Sequence, residues 1–412
     1  MTARKILFWI HLTAGCGAGA VVLIMSVTGV LLAYERQILT WADRPLRSRP
    51  SPADSQRLPF DRMMREVCAE NAGQPSQITL RSDPGAPAEV AFGRDRVVLV
   101  DVYSGRVVGE SSRSARMFLQ AAENWHRWLG APVAQRPAGR AVTGASNLAF
   151  LILVVSGPFL WLPRKWSWQG VKSGACFRRG LQGRARDFNW HNAIGIWCAL
   201  PLCVIVLSGV VMSYSWANGL VYRLTGSEIP VPGNNARPGN ETALQGEPRR
   251  RANGASRDGK SERPSAQTNS LFIGLDRLWK RAEQQVPGWQ TVSLRLPQGG
   301  RGPLTFTINT GSGGRPDQRS QLMLDPRSGE VIRWEPFSSY NTGRRVRSWL
   351  RFLHTGEAGG IAGQTVAAIA SLGAAMLVWT GISLAFRRWR RWKTRDRAPS
   401  TLPEKLEMAT RA

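Results

Sequence analysis

Hydrophobic residues are spread unevenly along the chain. Residues 6–34, 141–162, 189–222 and 361–386 form four runs that contain no Asp, Glu, Lys or Arg. Each exceeds the roughly 20 helical residues that cross about 30 Å of hydrocarbon at about 1.5 Å per residue. The pattern predicts a four-span α-helical membrane protein. Between the first and second runs, and again between the third and fourth, it changes to the period-two alternation of strands. Residues 77–80, 89–92, 97–103 and 106–109 read as strands with Ser104-Gly105 as a turn, and 62–70 as a short helix. Residues 271–286 read as an amphipathic helix, followed by strands at 291–296, 304–308, 321–324 and 331–334. The expected fold class is a four-span helical bundle carrying two α+β modules.

The same unit is written twice. HLTAGCGAGAVVLIMSVTGVLLAY, starting at His11, superimposes on HNAIGIWCALPLCVIVLSGVVMSY, starting at His191, at one offset of 180 (191 less 11). The His, Gly15/Gly195, Gly29/Gly209, Val30/Val210 and Tyr34/Tyr214 coincide, as do the small hydroxyls Thr28 and Ser208. VDVYSGRVVGE around Asp101 is echoed by LDPRSGEVIRWE around Asp325. Such self-similarity predicts an internal duplication and turns single residues into pairs that can be tested for a shared role.

Charge orients the spans. Arg4 and Lys5 precede an apolar run far longer than the roughly 7–15 residues of a signal-peptide core, which predicts an uncleaved signal anchor with a cytoplasmic N-terminus. Arg164, Lys165, Lys172, Arg178, Arg179, Arg184 and Arg186 lie between the second and third runs with no acidic residue before Asp187, and FRRWRRWKTRDR follows the fourth. Both read as cytoplasmic by the positive-inside rule. The expected division is span 1 at 1–35, a periplasmic module at 36–125, an approach segment and span 2 at 126–163, and a basic cytoplasmic loop at 164–188. Span 3 follows at 189–222, then a second periplasmic module at 223–350, an approach and span 4 at 351–386, and a basic cytoplasmic tail at 387–412. Within the second module, 230–270 is rich in Pro, Gly, Asn, Arg and Ser and reads as a disordered insertion.

With 55 Lys and Arg against 28 Asp and Glu, the net charge of +27 would suit nucleic acid in a soluble protein. Four spans exclude that partner and assign much of the charge to topology and membrane lipid. Cys16, Cys68, Cys176, Cys198 and Cys203 show neither CxxC nor disulfide spacing. GCGAGA at 15–20 mimics a nucleotide loop, but it lies inside a span with no strand before it, so no flavin or nicotinamide fingerprint remains.

All four histidines of the chain lie at or near span ends. His11 and His191 fall at the cytoplasmic level, and His126 and His354, just ahead of spans 2 and 4, at the periplasmic level. Two imidazoles facing one another from separate helices can clamp a haem iron axially. Interfacial hydrogen bonding and binding of bare copper, iron or zinc are the other readings of the same pairs. Each span also carries a Ser/Thr-Gly step: Thr28-Gly29, Ser156-Gly157, Ser208-Gly209 and Thr380-Gly381. Each step falls at the level of the His pair supplied by the other two spans, so Gly29, Gly157, Gly209 and Gly381 either make room for a macrocycle or serve close helix packing.

HRWLGAP, VSGPFLWLPRKW, FNWHNAIGIW and LHTGEAGG with FRRWRRW resemble the PepSY-associated transmembrane family, and the two Ser-Gly turn motifs resemble its PepSY strands. The resemblance covers nearly the whole chain outside 230–270. It implies a bacterial inner-membrane protein similar to di-haem ferric-siderophore reductases. His11 and His191 would hold a cytoplasmic-side haem b and His126 and His354 a periplasmic-side one, two per chain. Electrons would come from a cytoplasmic flavoprotein or a quinol. Arg344, Arg345, Arg347 and Arg351, ahead of His354, either attract the anionic ferric siderophore or form a stripe that faces solvent or lipid headgroups. Two other functions fit the same sequence: a non-enzymatic PepSY protein that restrains a periplasmic partner such as a peptidase, and a metal-ion transporter. The sequence sets no oligomeric state.

Overall fold

The computed structural model describes residues 2–47, 56–71, 73–93, 95–163, 166–229, 274–297 and 302–395. The expected insertion at 230–270 lies outside these residues, as do Arg164, Lys165 and the tail beyond 395. The first apolar run forms α1 (Ala3–Ala33), followed by α2 (Glu35–Ala42) and α3 (Arg44–Arg47). Next come α4 (Phe60–Glu70), strands β1 (Gln77–Arg81), β2 (Ala88–Phe92), β3 (Arg96–Val100) and β4 (Val107–Glu110), then α5 (Arg113–Trp128) and α6 (Arg136–Trp161). After the linking helix α7 (Trp168–Ala175), the second half repeats this order except that α3 has no counterpart among the described residues. It has α8 (Gly183–Ser213), α9 (Ser215–Leu224), α10 (Leu275–Gln285), β5 (Thr291–Arg295), β6 (Leu304–Asn309), β7 (Arg319–Leu324), β8 (Val331–Pro336), α11 (Thr342–His354) and α12 (Gly360–Arg395).

Four helical stretches, centred on α1, α6, α8 and α12, are long and apolar enough to cross a membrane. α1 and α8 each pack along both α6 and α12, so they occupy opposite corners of the bundle. Its outer face is apolar, with Trp197, Leu200 and Ile369 exposed, as expected where the solvent is hydrocarbon. Small residues face inward: Ala370 and Ala374 are buried, and a Cβ on Gly373 would lie 2.5 Å from the Cys198 sulfur. Pro201 and Pro158 sit inside helices that continue through them. The third span is shorter than its apolar run, because Tyr214 adopts an extended conformation and α9 begins a separate helix.

Side chains close the helix ends in matching ways. Gln364 Nε2 donates to Ala33 O at the end of α1, and Arg140 donates to Met212 O and Ser213 O at the end of α8. These carbonyls have no partner within their own helices. Gln364 and Arg140 are 224 residues apart (364 less 140), as are Gly381 and Gly157.

The strands form one sheet rather than two modules. Its order is β4-β3-β2-β1-β5-β6-β7-β8, antiparallel throughout. The seam joins the inner strand of each half, with Gln77 opposite Arg295 and Arg81 opposite Thr291. A four-stranded half would leave β1 or β5 as an open edge, and pairing the two removes both. α4 and α10 cover one face and share a single core with the strands. Phe60 stacks on Trp279 at 4.4 Å, and Trp279 meets Phe306 edge-on at 5.7 Å. The helix starts cap each other: Asp276 Oδ1 accepts from Phe60 N, while Asp61 accepts from Gly274 N and Asp276 N.

The repeated Ser-Gly motif proves to be a turn. Asp101 Oδ1 accepts from Tyr103 N and Asp325 Oδ1 from Arg327 N, and Gly105 and Gly329 each supply the φ of +73° that closes the loop. Phe306 has no exposed surface at the centre of the core. Phe306→Ala is expected to destabilise the sheet by about 3–5 kcal/mol. Thermal unfolding of the full chain in detergent, followed by tryptophan fluorescence, should show a lowered first transition with the helical signal retained.

Candidate functional site: two facing histidine pairs

The histidines meet as two pairs across the bundle. His11 of α1 and His191 of α8 face each other with ring centres 6.4 Å apart and planes at 81°. At the sheet end, His126 of α5 and His354 of α11 stand 6.3 Å apart with planes at 71°. The first pair lies on the spans themselves. The second lies on short amphipathic helices that fold back against α1 and α8 before the chain enters α6 and α12.

Glycine contacts hold those short helices in place. A Cβ on Gly139 would lie 2.4 Å from Trp128 O, and one on Gly363 would lie 2.4 Å from Gly356 O. Neither position has room for a side chain unless the approach helix moves. Gly139 and Gly363 are again 224 apart (363 less 139), so both halves use the same joint.

Hydrogen bonds fix the protonation pattern of each ring. His126 Nδ1 is 2.9 Å from Met25 O, and His354 Nδ1 is 2.8 Å from Ile205 O. A carbonyl only accepts, so each Nδ1 carries the hydrogen. His11 Nδ1 is 2.7 Å from Ser156 Oγ, and His191 Nδ1 is 2.9 Å from Thr380 Oγ1. Those hydroxyls already donate to Ile152 O and Met376 O, which leaves them as acceptors toward the imidazole. Thr28 Oγ1 and Ser208 Oγ add second contacts to His126 and His354 at 3.0 and 3.1 Å.

Each Nε2 therefore bears a lone pair, and no hydrogen bond among the described residues reaches it. Metal-ligating histidines are commonly held in this way, donating one ring N–H to a neighbouring oxygen and keeping the other nitrogen free.

The Ser/Thr-Gly steps belong to these sites. The hydroxyl binds Nδ1, and the next residue leaves space at the ring edge. A Cβ would lie 3.4 Å from Cε1 of His354 at Gly209 and of His191 at Gly381, 3.6 Å from Cε1 of His126 at Gly29, and 3.9 Å from Cε1 of His11 at Gly157. Each of the four glycines thus has an imidazole edge within 4 Å of where its Cβ would be. Hydroxyl and glycine positions were visible in the sequence. The carbonyls of Met25 and Ile205 were not, because every residue has one.

The spacing of the pairs fits one metal centre between each two rings. Two metal–nitrogen bonds of about 2 Å, with about 1.1 Å from each Nε2 to its ring centre, separate the centres by about 6.2 Å. Among the described residues no group of three or more His, Cys, Asp or Glu side chains converges. The five cysteines are free, and burial pushes the Cys68 thiol up to about 11.

The arginines ahead of His354 are engaged in their own fold. Arg344 pairs with Glu335 at 3.0 Å and stacks over Tyr340, Arg345 donates to Ser338 O, and Arg347 donates to Asn218 Oδ1 at 2.7 Å. Arg351 is half-buried, and burial pushes its guanidinium below its usual value while Glu357 and Glu35 oppose that shift. At the opposite end of the bundle, a groove of about 550 Å³ is lined by Phe177, Arg178, Arg186 and Met376 among others, and by Trp190 and Ile194, which flank His191 in sequence on α8.

No curated protein matches the chain. A family model described as the PepSY-associated TM region matches residues 8–388, which takes in all four spans, all four histidines and the sheet, and the chain belongs to that family.

Proposed function

We propose that this protein is a di-haem electron conduit of the bacterial inner membrane that reduces a ferric siderophore. The observation that carries the proposal is the pairing itself: two His–His pairs at metal-bridging separation, every Nδ1–H satisfied and every Nε2 free. Basic residues at the His11/His191 end support a cytoplasmic placement for that end and for both termini, with the sheet in the periplasm. The matching offsets of 180 and 224 support descent of the two halves from one duplicated unit.

His11 and His191 would hold one haem b, and His126 and His354 the other. When bound, each haem would supply a one-electron Fe(III)/Fe(II) couple, held by two imidazoles and suited to electron transfer. Ser156, Thr380, Met25 and Ile205 keep the four rings oriented and neutral at Nε2, while Gly157, Gly381, Gly29 and Gly209 leave the ring edges clear. The groove lined by Trp190 and Ile194 is where a cytoplasmic flavoprotein or a quinol would deliver electrons. At the sheet end, Arg351 lies one turn before His354 and draws in an anionic chelate, with Arg344, Arg345 and Arg347 adding long-range positive charge. One electron reduces the chelated Fe(III) to Fe(II), which oxygen donors hold less well.

The test is the visible spectrum of the purified full chain reduced with dithionite. Two haems per chain are expected, one lost in His11→Ala or His191→Ala and the other in His126→Ala or His354→Ala. Colourless protein from haem-replete cells would sink the proposal. The glycine joints give a second test. Gly139→Ala or Gly363→Ala should displace the approach helix and remove the sheet-end haem alone, with the His11/His191 component unchanged in the same spectra.

A further inference from the structure

The groove at the His11/His191 end has a lining that the delivery of electrons does not explain. One part of it is the segment after α7, with Phe177, Arg178 and Arg179, and the other is Trp190 and Ile194 of α8 with Met376 of α12. The segment is tied to α8 by two side chains. Asn189 is buried, its Oδ1 accepts from Arg178 N at 3.0 Å, and its Nδ2 donates to Cys176 O at 3.1 Å. Two turns further along α8, Trp197 Nε1 donates to Ala175 O at 2.9 Å. Trp197 is 71% exposed on the outer apolar face of the span, so the end of α7 and the segment after it lie on the side of the bundle that meets lipid.

Charge in this groove is unbalanced. The Arg178 and Arg179 side chains are exposed, and neither guanidinium has a hydrogen bond or an ion pair among the described residues. Arg186 adds a third cation, over the Trp190 ring at 5.5 Å. The neighbouring carboxylate, Asp187, is buried and accepts from Ser383 at 2.7 Å and from Arg186 at 3.0 Å. Along α8 the lining passes from Arg186 through Trp190 to Ile194, about 12 Å at about 1.5 Å per residue. It therefore changes from cationic to apolar over the depth of a headgroup and the start of a chain.

We propose that the groove holds one anionic phospholipid, its phosphate among Arg178, Arg179 and Arg186 and an acyl chain along Ile194 and Met376. Guanidinium groups bind phosphate oxygens through paired N–H donors, and basic pockets between spans take lipid headgroups. The apolar part of the lining calls for hydrocarbon, which a free anion or an acidic protein surface does not bring. A quinol is apolar but neutral and would leave the three arginines without a counter-charge. The inference stands apart from the di-haem reading, and a donor using the same groove would displace the lipid.

The experiment is native mass spectrometry of the full chain released from detergent, with phosphatidylglycerol or phosphatidylcholine added in turn. The wild type is expected to retain one phosphatidylglycerol and to bind it about tenfold more tightly than phosphatidylcholine. Arg178→Gln/Arg179→Gln should weaken phosphatidylglycerol about tenfold and leave phosphatidylcholine unchanged. Arg390→Gln/Arg391→Gln, which removes two cations of α12 that do not line the groove, should change neither. Equal retention of the two lipids, equal weakening by both double variants, or a quinone held in place of phosphatidylglycerol would overturn the inference. Should the first double variant fail to fold, Arg179→Gln alone decides: a loss confined to phosphatidylglycerol supports the inference and no loss refutes it. Because no haem is read, a colourless protein defeats the di-haem reading and leaves this test intact.

Discussion

Everything in the bundle depends on how an imidazole is kept in a membrane. A ring buried there must have its N–H satisfied, because hydrocarbon offers no acceptor and an unmet polar group costs about 1–3 kcal/mol. The chain meets this at Nδ1, using a neighbouring helix each time: α6 for His11, α12 for His191, α1 for His126 and α8 for His354. One hydrogen bond thereby does three things. It satisfies the donor, fixes the tautomer, and stitches each histidine's helix to the next element around the bundle. The helix packing and the chemistry of the site are set by the same four contacts.

The sheet serves that arrangement by controlling where the approach helices start. β4 leads within a few residues into α5, and β8 leads into α11, so the outer strands feed the two helices that carry His126 and His354. The β1–β5 seam fixes the two outer strands at opposite ends of one rigid element. Arg36 at the start of α2 donates to Ser312 O and Gly313 O in the β6–β7 loop and pairs with Glu357 at 3.2 Å, tying the sheet to the turn after His354. The histidine separation at the sheet end is therefore held from the bundle and from the sheet together.

The spans, their number and the two histidine levels were legible because length and charge pattern decide them locally. Pairing was legible because the offset of 180 made His11 and His191 equivalent before any contact was known. The seam was not, since Gln77 and Arg295 are far apart in sequence and no alternation specifies which edge pairs with which. The break at Tyr214 was hidden by an apolar run that continues to residue 222. Arg344, Arg345 and Arg347 look like a free cationic stripe in sequence, yet Glu335, Ser338 and Asn218 occupy them in the fold. A search at the second offset, 224, would have exposed Gly139 with Gly363.

Between the two histidine levels the bundle packs on apolar side chains. Cys198, Leu202, Ala370 and Ala374 are buried there, with Phe150, Val154, Ile194, Ile205 and Leu377 packed around them. Along α1 the two levels, His11 and Thr28, are about 25 Å apart at about 1.5 Å per residue. The hydrogen-bonding groups that hold the imidazoles thus sit at the two histidine levels, and the length between them is left to apolar packing of α8 against α6 and α12.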